Sequence, residues 1–290
     1  MINGYGGCPG FLLRWLQGRC CFPGNDWVEM RAMLRQLQTW FGVFLLLPAL
    51  SASAGRPLTV DDAAPVPPGL FELEAGIGYV GDGPLRHWDF PFALAYGVAP
   101  RLELGAGTGG QLEERGELAS GDNLVTSVGD AILGTKWQPL DKDRFWADHA
   151  LAFSVKLPTA SRSRGLGSGE TDFDLTWIAT KPLGEKMSVH FNVGYTWLGD
   201  PAGENFDDVL HYGAALDRHL TKRLQLVAEI YANTPVHTAS DTTLFLNGGV
   251  RWKAGDALVF DAAVGAGVRG AAPDVIATAG LTWVFGKGRK

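Results

Sequence analysis

A chain of 290 residues with 39 glycines, 10 tryptophans and only 19% charged residues can hold one large β domain or two smaller ones, and is poor material for helices. No run of about 20 apolar residues follows residue 54, which argues against a helical membrane protein. With the four basic and two acidic residues of 1–54 set aside, 21 basic and 29 acidic residues remain, a charge of −8 that argues against nucleic acid as a partner.

The first element in the chain is a processing signal rather than a fold. Met33–Trp40 carries one positive charge, Phe41–Leu50 is an apolar core, and Ala52-Ser53-Ala54 supplies small residues for cleavage after Ala54. Residues 33–54 therefore read as a signal peptide, and 1–32 as an upstream extension or a mis-assigned start. Cys8, Cys20 and Cys21 all lie before that cleavage point, so the exported chain has neither a disulfide framework nor a thiolate metal site. Residues 55–68 read as a periplasmic N-terminal segment, with no plug domain ahead of the first strand.

From residue 69 to 286 the pattern is that of strands. Met187–Trp197 shows it best: odd positions are apolar or aromatic and even ones polar or glycine, which gives a greasy face and a wet face. Similar segments are expected near 70–79, 87–96, 101–111, 125–138, 145–157, 172–182, 187–198, 208–218, 223–233, 242–253, 257–268 and 274–285. Connections after even-numbered strands are short, as at 97–100 and 183–186. Those after most odd-numbered strands are longer and polar, as at 112–124 and 158–171. Alternating short turns and long loops predict an all-β fold: a transmembrane antiparallel up-and-down β-barrel of about 12 strands, with short periplasmic turns and longer extracellular loops. Trp88, Trp137, Trp177, Trp197, Trp252 and Trp283 fall on the greasy face, mostly toward strand ends, as a membrane-interface girdle requires. A lipocalin-like barrel or β-sandwich is the soluble alternative.

The last strand, Val275–Phe285, alternates and ends in an aromatic residue. It resembles the C-terminal strand that barrel-insertion machinery recognises, although a basic tail, 287–290, follows it. Phe71–Tyr79, Ala95–Gly105 and above all Gly129-Asp-Ala-Ile-Leu-Gly-Thr-Lys-Trp137 resemble an outer-membrane family named for a MetA pathway of phenol degradation, whose members are often labelled transporters. The resemblance spans most of 65–285. It implies a role near the uptake of aromatic compounds, in the outer membrane of a Gram-negative bacterium.

Parity assigns the wet face to the lumen. The acidic candidates are Glu72, Glu74, Asp89, Glu103, Asp130, Asp148, Asp172, Asp174, Asp217, Glu229 and Asp261. The basic ones are Arg101, Lys136, Lys156, Arg251, Lys253 and Arg269, and His190, Asn192 and His211 share the face. Both signs at close quarters predict internal ion pairs, a narrow interior and a preference for cations. The alternative is that these charges are interior struts, kept there because a charge on the lipid face costs about 2–4 kcal/mol at mid-membrane.

No catalytic, cofactor or metal site is expected. His149 sits on the greasy face, Ser154 on the other, and no Gly-x-Ser-x-Gly pattern occurs. His190 and His211 could approach a serine or a carboxylate across strands. The chain is expected to act as a monomeric channel for passive passage of small molecules, with lipid, the insertion machinery and a small solute as partners. A structural or adhesive barrel with a closed lumen is the alternative, and a lipid hydrolase a lesser one.

Overall fold

The computed structural model describes residues 56–114, 124–164, 166–201, 203–237 and 240–288. The expected signal peptide, its expected cleavage point at Ala54 and the three cysteines lie outside them. Thirteen strands follow one another: β1 Leu70–Asp82, β2 Leu85–Ala99, β3 Leu102–Glu114, β4 Leu124–Val128, β5 Ala131–Leu140, β6 Asp148–Leu157, β7 Asp172–Pro182, β8 Met187–Trp197, β9 Val209–His219, β10 Leu224–Asn233, β11 Thr243–Lys253, β12 Leu258–Arg269 and β13 Val275–Gly286. The only helical piece among the described residues is a single 3₁₀ turn, Arg162–Arg164. Among those residues no helix is long and apolar enough to cross a membrane.

Every neighbouring pair is antiparallel, and β1 closes on β13 from Leu70↔Gly286 to Gly81↔Val275. The ring therefore has twelve strands, with β4 added beside the upper end of β3. The predicted fourth strand splits in two. β5 pairs with Leu102–Gly107 and β4 with Gly110–Glu114, so the chain is interrupted at Gly129–Asp130. The pairing on β3 shifts by one residue there, so the outward positions pass from Leu124 and Val128 in β4 to Leu133 and Trp137 in β5, and a single period-two strand over 125–138 does not hold.

Alternation sets inside and outside. Along β8, His190, Asn192, Gly194 and Thr196 are buried while Phe191, Val193, Tyr195 and Trp197 are exposed. The exposed face is a belt of large apolar side chains, among them Leu104, Leu133, Trp137 and Leu246. Aromatic pairs gather at both ends of the belt. Phe71–Tyr96 (4.5 Å) and Trp252–Phe260 (6.0 Å) mark the end with short turns, and Tyr79–Trp88 (4.7 Å) and Tyr195–Trp197 (5.1 Å) the end with long loops. Such a belt, apolar in the middle and aromatic at its borders, is what a barrel presents to lipid.

Candidate functional site

The interior is not empty of backbone. Residues 56–68, here called the strap, cross it in the turn-end half before entering β1. Pro57, Val60, Ala63 and Val66 are all buried, and a three-residue spacing is the period of an extended proline-rich chain. A segment sealed from water must bond its peptide groups, and the inward side chains of five strands supply the partners. Glu229 on β10 accepts from the Thr59 N–H (2.8 Å) and the Val60 N–H (2.8 Å). Asn192 on β8, with its amide turned to satisfy both ends, accepts from the Asp61 N–H (2.8 Å) and donates to the Asp61 carbonyl (3.0 Å). Thr180 on β7 accepts from the Ala63 N–H (2.9 Å), Glu103 on β3 from the Val66 N–H (2.5 Å), and Lys136 on β5 donates to the Asp62 carbonyl (3.1 Å). Residues 56–68 of the segment expected to lie in the periplasm thus sit against the inner faces of the strands, a correction to that placement.

Side chains of the strap complete the closure. Lys136 Nζ lies 3.3 Å from Asp61 Oδ2. Arg56 lies over Gly76 and Gly280, where a Cβ would sit 2.3 Å from its Nη2, and reaches Asp261 (3.3 Å) and Thr278 (3.1 Å). Arg251 Nε donates to the Arg56 carbonyl at 2.6 Å. Val60 packs with Ala215, Tyr231 and Phe245, whose two rings stack at 4.6 Å, and Ala63 packs with Ala150 and Ile178.

Above the strap, toward the long loops, polar groups pair with one another. His211 Nε2 bonds Asp174 Oδ2 at 2.7 Å, reaching from β9 to β7 over β8. The crossing is possible because position 194 is glycine: a Cβ there would lie 2.3 Å from the His211 ring. Thr176 (2.7 Å) and Thr196 (2.8 Å) donate to the same carboxylate. Lys156 pairs with Asp172, lies 3.7 Å from Asp130 and donates to Ser168 at 2.9 Å, which folds the loop after β6 inward. Glu72 and Glu74 are buried on the inner face of β1, and the Asp89 carboxylate lies over Gly78.

Three histidines face the interior, and each lies near a carboxylate, His87 being 3.6 Å from Glu113. His190 bonds Asp217 through Nε2 (3.1 Å) and Thr180 through Nδ1 (2.9 Å). This hydroxyl–imidazole–carboxylate chain looks like a hydrolase relay, but Thr180 is engaged by the strap and acts as its latch. His149 lies on the outer face between Trp146 (5.2 Å) and Trp177 (5.5 Å). Among the described residues no group of three His, Cys, Asp or Glu could hold a metal ion.

Four candidates line the rim instead of the interior. Arg101 is exposed in the β2–β3 turn, held at a positive φ of 69°, and pairs with Asp141. That guanidinium bond holds the Asp141 carboxyl below the usual carboxylate range. Asp148 caps the β5–β6 turn by accepting from the Lys142 N–H (2.8 Å). Lys253 is exposed beside Asp256, and Arg269 is exposed at the end of β12. Parity carried these residues to the correct strand face, but turns release their side chains to solvent. Missed were the buried pair His87 and Glu113, 3.6 Å apart, and the uncharged inward residues Thr180, Gly194, Tyr231, Phe245 and Asn247; Asn247 donates to Glu229 at 2.9 Å.

The family described as "Putative MetA-pathway of phenol degradation" matches residues 54–285. No curated protein matches the chain. Among solved structures, an outer membrane channel from Pseudomonas putida F1 is similar at 16% identity, covering 77% of this chain and 98% of its own, with a TM-score of 0.61. The NanC porin is similar at 9% identity, 73% and 98% coverage and a TM-score of 0.53. The KdgM porin is similar at 10% identity, 74% and 99% coverage and a TM-score of 0.51. At these identities the likeness is one of fold.

Proposed function

The chain belongs to this MetA-pathway family of phenol degradation, and from that membership we propose that it is an outer-membrane channel for passive passage of small, weakly polar molecules, aromatic compounds among them. Short turns then face the periplasm and long loops the outside. The observation that carries the reading is the closed twelve-strand wall, greasy outside and charged inside. The chain works as a monomer, lipid covers the belt, and β13 with Phe285 near its end is the strand met by the barrel-insertion machinery.

The strap makes this a narrow channel at rest. With Arg101, Lys253 and Arg269 on the rim, the remaining interior candidates are more acidic still, which favours cations. A second reading, a closed barrel that only anchors its loops, draws on the dry packing of Ala63, Ala150 and Ile178, each at most 1% exposed.

Conductance of the purified protein in planar bilayers under a salt gradient separates the two. Small cation-selective steps are expected, rising in Glu229→Gln. A carboxylate hydrogen bond contributes about 1.5–3 kcal/mol, so weakening the Glu229 bonds raises the fraction with a released strap on the order of tenfold or more. Folded protein that stays silent in both forms leaves the closed barrel as the better reading.

A further inference from the structure

At the turn end, the outward face of the wall carries charge of one sign. Strand alternation puts Lys181 on the outer side of β7 with Trp177, and Arg218 on the outer side of β9 with Leu216. Among the described residues these are the two ionic side chains, histidine aside, that strand parity turns outward at that end. β8 runs between them: Lys181 stands opposite Val189, Val189 opposite Leu216, and Met187 opposite Arg218. The two cations thus flank one strand, roughly 10 Å apart across the sheet and within the combined reach of two long side chains.

Among the described residues neither cation is paired with a carboxylate. Lys181 instead holds its Nζ 5.6 Å from the centre of the Trp146 ring, and Asp217, next to Arg218, points inward to His190. Segments 181–187 and 218–223, which form the two turns, hold five basic residues against one acid, Glu185. Charge near a membrane border is tolerated in either sign, so tolerance alone does not account for two cations astride one strand. The stacked Trp146, His149 and Trp177 set the depth, since amphipathic rings sit at headgroup level. One step further along the same strands, Phe191 and Leu216 are exposed, and Ala179 and Ala214 flank Phe191, a surface suited to acyl chains.

We propose that Lys181 and Arg218, astride Met187 and Val189 of β8, form a seat for one anionic phospholipid, its phosphate between the two cations and its acyl chains along Phe191 and Leu216. The guanidinium offers the phosphate paired donors, and the ammonium is a point charge steadied by the face of Trp146. The seat lies on the outside of the wall and is the same whether the lumen conducts or stays closed.

Native mass spectrometry of the full chain in detergent, titrated with dioleoyl phosphatidylglycerol or dioleoyl phosphatidylcholine, tests it. The two lipids share phosphate and chains, and the first alone has net negative charge. One phosphatidylglycerol is expected to bind about tenfold or more tighter, because each basic residue beside an anionic headgroup is worth about a factor of five. Lys181→Gln with Arg218→Gln erases that preference. Lys222→Gln with Arg223→Gln, which removes as much charge from the neighbouring turn, keeps it. Trp146→Leu frees the lysine and lowers the preference several-fold. Heat-modifiable migration on gels establishes that each variant is a folded barrel. Glycerol phosphate, the same headgroup chemistry without chains, does not displace the lipid. Equal affinity of the unmodified chain for the two lipids overturns the seat. So does a preference that falls equally in both double variants, since that is diffuse attraction to a basic end. Displacement by glycerol phosphate overturns the phospholipid as occupant.

Discussion

Lys136 on β5 and Asp61 on the strap form an ion pair sealed from water, 3.3 Å apart with side chains 1% and 3% exposed. Burying two charges is repaid only when the remaining donors are satisfied as well, and Lys136 meets that need by also reaching the Asp62 carbonyl. Removing one partner leaves the other stranded. Lys136→Ala is therefore expected to cost about 3–5 kcal/mol, felt first as release of the strap. The double variant Lys136→Met with Asp61→Leu leaves no stranded charge and should recover most of that loss. Protease sensitivity of the strap in detergent-solubilised protein, beside urea unfolding, checks it. A single variant as resistant as the parent would show that the pair does not hold the strap.

A second ion pair lies outside the membrane span and answers to pH. Arg101 holds the Asp141 carboxyl below its ordinary value, so the folded state binds this proton more weakly than the unfolded state does. A depressed carboxylate contributes stability that is fully present above the unfolded value, about 4, and fades as pH falls through the folded one. Asp141→Asn should thus lower the thermal midpoint at pH 7 and make no difference once the medium is more acidic than the folded value. Melting curves of both proteins from neutral pH down into that acid range read this directly. A gap that stays constant across the range would exclude the charge as its source.

How much of this could be read from residue order depends on periodicity. Strands such as β8 and β10 alternate cleanly, because a wall with lipid on one side and polar groups on the other admits no other spacing. The β4–β5 break is a one-residue change of phase at Gly129–Asp130, with Val128 facing outward before it and Leu133 after it, and one period-two pattern laid over the whole segment misses it. The strap has no period of two or of 3.6, and its partners Glu103, Thr180, Asn192 and Glu229 are scattered over four strands that only closure of the ring brings to one level. Its buried residues at every third position were the available signal. Interior parity located most charges, but the pairing His211–Asp174 depends on an absent side chain at position 194.

The outer belt makes its own demand. Leu246 stands on the outward face of β11, 47% exposed, away from both aromatic borders. An arginine at that depth must be taken out of water with nothing to pair with, at about 2–4 kcal/mol. Leu246→Arg should lose that amount in reversible folding into lipid vesicles. An arginine in place of Lys253, beside the turn, should lose almost nothing, because charge there is already in water. Equal effects at the two positions would mean that the belt does not lie in lipid.

Gly194 decides whether the upper polar cluster exists. A methyl group there meets His211 at 2.3 Å and the Thr176 hydroxyl at 2.4 Å, so neither can stay where it is. Gly194→Ala should push the imidazole off Asp174 and leave that carboxylate with its two threonine donors only. Overpacking of this kind costs about 1–3 kcal/mol, and a lost charged hydrogen bond adds to it. His211→Ala alone also breaks the bond but opens the space that a methyl group on Gly194 would need. The two changes therefore couple: the double variant should be more stable than the sum of the single losses predicts, by about 1 kcal/mol or more, on the scale expected for residues in contact. Urea unfolding of the four proteins in the same detergent completes the cycle. Strict additivity would show that His211 does not cross β8 at this position, and the close approach of β7, β8 and β9 around Asp174 would need another cause.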